Sequence, residues 1–168
     1  TAGLFVIRTQ SGKSAHDHAA AEHADIQVGS QLPDFLIKKY GSGEVRASEL
    51  GHKVTLINFW ATWCQPCVTE LPSIVKLRRK FKPEGFEVVA INVDESPDEV
   101  LPGAIKRYGL DFTVYLDPEQ KLSELFDVTG LPLTVVIDRN RKILFVEKGG
   151  RDWIDDASQK MVKGWLAG

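Results

Sequence analysis

Two apolar runs on either side of one amphipathic stretch, all between residues 54 and 93, constrain the fold of this chain most. The first run, Val54–Trp60, is apolar, β-branched or aromatic at nearly every position, which is typical of a strand covered on both faces. Apolar residues then recur at helical spacing from Gln65 to about Lys82, and basic residues cluster near the end of this stretch. The second run covers 86–93. This order predicts a parallel βαβ unit with a right-handed crossover.

Shorter signals on both sides extend this unit to an α/β domain. The turn at Gly41-Ser42-Gly43 predicts a short pair of strands around it. Similar patterns predict strands at 112–116, 133–137 and 143–146, the last two joined in a hairpin, and helices at 119–126 and about 152–166. The last helix is expected to bury one apolar stripe, formed by Trp153, Ala157, Met161, Val162 and Trp165.

A second helix is predicted between the second apolar run and the strand at 112–116. Ser96 and Glu99 have the spacing of a capping box, and proline at position 97 suits the first helical position. Because Pro102-Gly103 interrupts the pattern, we expect the helix to be split or kinked there and to end near Tyr108-Gly109.

The first 29 residues lack this periodicity and are rich in Ala, Ser, His and Gln, which predicts a flexible arm before a domain at 30–168. Alternatively, the arm is the remnant of an anchor or linker, because Leu4–Ile7 followed by Arg8 has the pattern of the tail of an export signal. The 168 residues fit one domain, and a formal net charge of −2 gives no field for binding a nucleic-acid backbone.

Both cysteines of the chain lie where the first strand ends and the amphipathic helix begins, in Trp60-Ala61-Thr62-Trp63-Cys64-Gln65-Pro66-Cys67. A thiol at a helix N-terminus meets the positive end of the macrodipole and free backbone N–H groups, which favour the thiolate that attacks disulfides. With Cys64 at the cap, Cys67 lies one turn later on the same side. We therefore expect Cys64 to attack and Cys67 to resolve the mixed disulfide, while Pro66 stiffens the first turn.

From about Gln31 to the C-terminus, the sequence resembles the thioredoxin-like thiol:disulfide oxidoreductases of the redoxin or AhpC/TSA-like superfamily, and within them the TlpA/ResA type of exported bacterial proteins. Three segments carry the resemblance, namely 56–67 with the cysteine pair, 94–117, and Gly130-Leu131-Pro132-Leu133-Thr134. The resemblance implies an α/β thioredoxin-like fold. In that fold a central mixed β-sheet is flanked by helices and carries an N-terminal β-hairpin extension and a central αβ insert.

The same resemblance implies how a substrate is bound. It implies a cis peptide bond between Leu131 and Pro132, opposite the cysteines, that offers backbone hydrogen bonds to an extended substrate. The substrate-binding residues expected on this basis are Trp63, Gln65, Pro66, Leu131 and Pro132. We expect no metal and no cofactor beyond the redox-active Cys64–Cys67 disulfide.

Two polar positions near the cysteines bear on proton transfer. Many cytoplasmic thioredoxins carry a buried aspartate on the central strand, where this chain has Asn58, which cannot titrate. Glu70 follows Cys67 by three residues, and in ResA-like proteins a glutamate at this place is thought to assist proton transfer, which predicts a catalytic role. A partly desolvated carboxyl would have a raised pKa suited to that role. The alternative is a solvated carboxylate on the helix surface.

Other functions of the cysteine pair stay open at this point. Zinc needs two more ligands, and the chain has neither another cysteine nor a histidine after Cys67. A copper metallochaperone is an alternative because copper(I) favours thiolates, and the arm supplies His16, His18 and His23. A thiol peroxidase of this fold carries Pro-x-x-x-Thr-x-x-Cys, but Ile57 and Ala61 occupy those two places.

The direction of electron flow does not follow from the motif, since it depends on how strongly the Cys64 thiolate is stabilised. The resemblance favours a monomeric reductant of protein disulfides in the periplasm or another extracytoplasmic space, with a role in cytochrome c maturation. It also implies a membrane-bound electron donor and an anchor in a segment outside this chain. The substrates would be protein thiols and disulfides, and no nucleic acid is expected to bind.

Overall fold

A computed structural model describes residues 23–168 of the chain. Its strands are β1 (Leu36–Lys39), β2 (Glu44–Arg46), β3 (Val54–Trp60), β4 (Phe86–Asn92), β5 (Val114–Leu116), β6 (Leu133–Asp138) and β7 (Ile143–Lys148). Its α-helices are α1 (Gln65–Phe81), α2 (Pro97–Tyr108), α3 (Lys121–Leu125) and α4 (Asp156–Ala167). The seven strands form one mixed sheet in the order β2-β1-β5-β4-β3-β6-β7. The α/β thioredoxin-like fold with a mixed sheet and an N-terminal hairpin is confirmed.

The central strand β3 explains why the first apolar run dominates the sequence. All seven of its residues are buried, and it pairs parallel to β4 and antiparallel to β6. Alternate β3 side chains enter two separate cores. Leu56 and Trp60 pack with residues of α1, α2 and α4, whereas Ile57 and Phe59 pack with residues of α3 and the segment before β1. The helix that carries the cysteines therefore lies on the face to which Asn58 also points.

Helix α2 differs from the prediction because it is continuous through Pro102. Pro102 and Gly103 are exposed, while Leu101 and Ala104 are buried, so the interruption falls on the solvent side and costs only one backbone hydrogen bond. The capping box is also absent, because the Ser96 side chain makes no cap hydrogen bond.

Helix α4 begins at Asp156, later than predicted, because the carboxylate of Asp155 caps it by accepting a hydrogen bond from the Ser158 N–H (2.7 Å). The buried positions of the helix are Ser158, Val162 and Leu166, at i, i+4 and i+8. Ala157 is exposed, Met161 and Trp165 are half-buried, and Trp153 is buried but precedes the helix. The predicted stripe was therefore wrong in phase at Ala157 and in element at Trp153.

Residues 23–29 lie against the domain rather than apart from it. Backbone hydrogen bonds join Ala24 N–H to the Leu125 carbonyl and Gly29 N–H to the Ile143 carbonyl, both at 2.8 Å. The predictions for positions 1–22, including His16 and His18, lie outside the described residues. No helix among residues 23–168 has both the length and the apolar composition needed to cross a bilayer.

Candidate redox site

The cysteine pair lies between the end of β3 and the first turn of α1. Cys64 is the N-cap residue, with extended backbone at φ −90° and ψ 105°, and its Sγ accepts a hydrogen bond from the Cys67 N–H (3.3 Å). The two residues form a disulfide, with their Cα atoms 5.3 Å apart. Pro66 occupies the first turn of the helix, where its missing N–H leaves no helical acceptor unpaired.

A buried carboxylate fixes the turn before Cys64. Asp94 follows β4 and is 5% exposed. Its Oδ2 accepts hydrogen bonds from the Thr62 N–H (2.9 Å) and Asn92 Nδ2 (2.7 Å), and its Oδ1 accepts one from the Thr62 hydroxyl (2.8 Å). Asp94 therefore binds both the backbone N–H and the side-chain hydroxyl of Thr62 in this turn. The next side chain, Trp63, is 71% exposed and extends toward solvent.

A groove of about 890 Å³ opens beside Cys64, and we call it the Cys64 groove. The predicted substrate-binding residues that line it are Trp63, Pro66 and Leu131. Three valines add apolar surface, namely Val93, Val100 and Val128. The charged side chains that line it, Asp94 and Glu95, are both acidic. An extended protein segment could therefore lie across Cys64 on a mainly apolar surface.

The peptide bond between Leu131 and Pro132 is cis, as the resemblance implies. Leu131 lines the Cys64 groove, whereas Pro132 is buried and its carbonyl accepts a hydrogen bond from the Gly149 N–H (2.9 Å). Gln65 is exposed, and its side-chain amide donates to Thr69 Oγ1 (3.2 Å). Gln65 lines a different cavity. Of the five predicted substrate-binding residues, Gln65 and Pro132 are therefore the two that do not line the Cys64 groove.

Glu70 lies one turn after Cys67 and points into the protein. Its Oε1 accepts a hydrogen bond from Asn58 Nδ2 (2.8 Å), and its Oε2 accepts from the Arg151 N–H (3.0 Å) and Trp153 Nε1 (3.1 Å). The residue is 3% exposed, so it is not a solvated carboxylate on the helix surface. Burial raises the pKa of Glu70 above its ordinary value, although the three hydrogen bonds favour the ionised form and oppose this.

Asn58 connects Glu70 to the neighbouring strand. Its Nδ2 also donates to Thr134 Oγ1 (3.0 Å), and Thr134 is the residue opposite Asn58 in the β3–β6 register. Among residues 23–168, no hydrogen-bond partner lies near Asn58 Oδ1. The Asn58 amide cannot ionise, so of these two hydrogen-bonded residues Glu70 is the one that can titrate.

A second cavity, of about 670 Å³, lies beside Glu70, and we call it the Glu70 cavity. Ser73, Arg151 and Asp152 also line it. It gives a carboxylate that is otherwise buried a short route to water. Pro66 lines both cavities.

Sequence patterns did not identify three residues of this site. Asp94 marked only the start of a resembling segment, Trp153 was assigned to the apolar stripe of the last helix, and Arg151 had no predicted role. An aspartate directly after a buried strand, at the same sheet edge as the cysteines, was the available signal for Asp94. No local pattern links Glu70 to residues more than 80 positions away in the chain.

The zinc and copper alternatives both need a set of side chains placed to bind a metal ion. Residues 23–168 contain no group of three or more His, Cys, Asp or Glu side chains placed to hold a metal ion. Of the three arm histidines, the structure describes His23, whose Nδ1 lies 2.7 Å from the Glu124 carbonyl oxygen.

Comparisons with known proteins agree with this geometry. A model of the AhpC/TSA family matches residues 28–146. Thiol-disulfide oxidoreductase ResA of Bacillus subtilis (strain 168) is 34% identical over 146 residues, which are 87% of this chain and 81% of the relative. Thiol-disulfide oxidoreductase ResA of Geobacillus kaustophilus is 33% identical over 143 residues, which are 85% of this chain and 82% of the relative.

A solved structure shares both fold and sequence with the chain. The crystal structure of a proposed thiol:disulfide interchange protein DsbE from Chlorobium tepidum superposes with a TM-score of 0.76 at 31% identity. The match covers 84% of this chain and 99% of that one.

Proposed function

The chain belongs to the AhpC/TSA family and is a thiol:disulfide oxidoreductase of thioredoxin-like fold, and from this premise we propose that it reduces protein disulfides outside the cytoplasm. The observation that carries the direction is the charge around Cys64. The charged side chains that line the Cys64 groove, Asp94 and Glu95, are both negative. They oppose the thiolate that the helix N-terminus favours, and a less stabilised thiolate gives a stronger reductant.

The proposed reaction transfers two electrons to the substrate. The Cys64 thiolate attacks one sulfur of the substrate disulfide, forms a mixed disulfide and releases the first substrate thiolate, which takes up a proton. Cys67 then loses its proton and attacks Cys64 Sγ. This closes the Cys64–Cys67 disulfide and releases the second substrate thiolate, which is also protonated. The substrate gains two thiols, and the protein loses two.

We propose that Glu70 accepts the proton that Cys67 must lose in the second step. The proposal rests on its position one turn after Cys67, its burial and its raised pKa. A carboxylate with a pKa nearer to neutral is a better base toward a thiol than an ordinary one. The Glu70 cavity then lets the proton reach solvent.

The proposed partners are exported proteins whose disulfides must be reduced, with apocytochrome c as the partner class that the TlpA/ResA resemblance suggests. A reductant in an oxidising compartment needs a new supply of electrons, so a membrane-bound thiol donor is part of the proposal. We also propose that the protein acts as a monomer, which light scattering on the purified chain checks directly.

The test of direction is an equilibrium titration in graded thiol–disulfide buffers. Tryptophan fluorescence reports the transition, because Trp60 packs in the same core as both cysteines, and alkylation with mass measurement counts free thiols. A midpoint near the thioredoxin value of about −270 mV supports a reductant, and one near about −120 mV makes the protein an oxidant. If no reversible two-electron transition appears, the Cys64–Cys67 pair does not act in disulfide exchange and the proposal fails.

The partner is tested by trapping. A Cys67→Ser variant should accumulate mixed disulfides when it is incubated with oxidised extracytoplasmic proteins, and the trapped partners can be identified after reduction. The Cys64→Ser/Cys67→Ser double variant is the matched control and should trap nothing. A parallel incubation offers the same variant oxidised cytoplasmic proteins instead. If the variant traps mainly these cytoplasmic proteins, the proposed compartment is wrong.

A further inference from the structure

The segment between β7 and α4 covers residues 149–155, and its first five residues contact three separate parts of the redox site. The Gly149 N–H donates to the carbonyl of cis-Pro132 (2.9 Å). Gly150 packs against Pro66 so closely that an added Cβ would lie 3.4 Å from the Pro66 carbonyl oxygen. The rest of the segment binds Glu70 through the Arg151 N–H.

Trp153 is buried and is held through both its backbone and its ring. It is 0% exposed, its backbone N–H donates to Ser73 Oγ (3.0 Å), and its ring packs edge-on to Phe145 with ring centres 6.3 Å apart. These contacts aim the indole N–H at Glu70 Oε2, 3.1 Å away. A buried indole N–H needs an acceptor, and the chain provides the carboxylate of Glu70.

The charged groups around Glu70 do not neutralise it. The Arg151 guanidinium is bound elsewhere, with Nη1 on Glu147 Oε2 (3.2 Å) and Nε on Ser158 Oγ (2.8 Å). Glu147 on β7 adds a repulsive negative charge, Asp152 lines the same cavity, and Cys67 lies one turn earlier on α1. The three hydrogen bonds that Glu70 accepts all come from neutral donors: the Asn58 amide, the Arg151 backbone and the Trp153 indole.

We propose that Trp153 is a positioning residue of the redox site, whose indole N–H keeps Glu70 ionisable and oriented so that it can take the proton of Cys67. The inference rests on the proton-transfer role of Glu70 proposed above. Hydrogen bonds to the ionised form of a buried carboxyl oppose the effect of desolvation. Without the indole bond, Glu70 would hold its proton to higher pH and would be a base over a narrower range.

The direct test is a carboxyl titration by ¹³C NMR in the oxidised protein, where neither cysteine titrates. Glu70→Gln assigns the Glu70 signal. Trp153→Phe keeps an aromatic ring but removes the donor, and should raise the Glu70 midpoint by about one pH unit. Trp165→Phe is the matched control, because Trp165 packs on the same Phe145 ring but is not among the three donors to the Glu70 carboxylate. Equal midpoints in Trp153→Phe and the control overturn the inference.

Exchange kinetics separate this inference from the function on which it rests. The pH profile of disulfide exchange should move upward in Trp153→Phe but not in Trp165→Phe, and the shift should vanish when Glu70→Gln is added. If Glu70→Gln alone leaves the pH profile unchanged, the proton-transfer role fails, while the carboxyl titration still decides the role of Trp153.

A second variant keeps the test decisive if Trp153→Phe does not fold. Ser73→Ala removes the acceptor of the Trp153 backbone N–H, together with the hydrogen bond that the Ser73 hydroxyl donates to the Glu70 carbonyl (2.7 Å), and leaves the indole in place. It should raise the Glu70 midpoint in the same direction by a smaller amount, because the indole is then held less firmly. An unchanged midpoint in Ser73→Ala, with Trp153→Phe unfolded, overturns the positioning role.

Discussion

The two sides of the Cys64–Cys67 disulfide are built for different tasks, although both belong to the first turn of α1. On the Cys64 side, an apolar groove with acidic residues meets solvent, and Trp63 stands 71% exposed beside it. On the Cys67 side, the sulfur is 0% exposed and a buried network of neutral donors surrounds Glu70. The Cys64 side can contact a partner protein, whereas on the buried side Cys67 can reach Cys64 and exchange a proton but cannot contact a partner.

The contrast follows from where the helix begins. Cys64, at the N-cap, is only 6% exposed but lines the groove, whereas Cys67, one turn later, is 0% exposed and faces the core that α1 covers. Three residues of separation therefore give one cysteine access to substrate and the other a controlled environment. If the tasks are divided in this way, variants on the two sides should fail differently.

The largest effect is expected at the cysteines themselves. Cys64→Ser should abolish disulfide exchange, because no other thiolate can attack a substrate from the groove. Cys67→Ser should still attack but accumulate a mixed disulfide. Mass spectrometry after incubation with a disulfide-containing peptide measures both outcomes. A Cys67→Ser variant that turns over repeatedly would contradict the assignment of the two roles.

Glu70→Gln should produce the next largest effect, confined to the Cys67 side. Loss of the base should slow the second step about 100-fold at neutral pH and flatten its pH dependence. The first attack by Cys64 should keep its rate. Stopped-flow tryptophan fluorescence separates the steps, and an equal loss in both steps would argue against the division.

Glu70→Gln should raise the free energy of unfolding at neutral pH although it lowers the exchange rate. Because burial raises the pKa of Glu70 in the folded state, its contribution to the free energy of unfolding is full below the unfolded pKa and is lost as pH rises through the folded pKa. A glutamine does not ionise, so Glu70→Gln avoids the free energy of unfolding that the native protein loses as the pH rises. The Asn58 side chain can also turn so that its Oδ1 accepts a hydrogen bond from the new amide. Urea unfolding should show the variant more stable than the native protein at neutral pH, with the advantage disappearing in acid.

The sequence predicted the Cys64 side better than the Cys67 side, for a physical reason. The strand run of β3, the helical spacing of α1 and the cysteine positions are local patterns, and each is confirmed in place. The cis bond before Pro132 came from resemblance, because local sequence alone favours trans. The groove therefore assembles from segments that the sequence marks individually.

The network around Glu70 depends instead on contacts across the chain. Trp153 is 83 residues from Glu70, and its spacing to Ala157 imitates a helical stripe that α4 does not form. Whether Glu70 faces the core or solvent was open for the same reason, since the covering segment comes from beyond β7. Such pairings need the tertiary fold, whereas hydrophobic periodicity reports only which face of an element is covered.

Asn58→Asp should sharpen the contrast by loading the buried side with a second carboxyl. The new group would lie within hydrogen-bond distance of Glu70 Oε1, and two adjacent carboxylates cannot both ionise readily, so one keeps its proton to higher pH. The pH profile of the second step should move upward, by about one unit or more, while the first attack is unaffected. Thr134→Ser, which retains the hydroxyl at the other contact of Asn58, is the control and should leave the profile in place.

The smallest effect is expected on the exposed side, at Trp63. Truncating an aromatic residue at the centre of a protein contact commonly costs more than about 1 kcal/mol, so Trp63→Ala should lower kcat/KM for a protein disulfide about 5- to 10-fold. Exchange with a small disulfide, which cannot span the groove, should be unchanged. Val28→Ala is the matched control, because Val28 is 66% exposed and lies outside the groove lining. Neither variant should alter the free energy of unfolding by more than about 0.5 kcal/mol. Equal loss toward protein and small disulfides would mean that Trp63 acts on Cys64 itself, and the groove would then no longer be a surface for partner recognition alone.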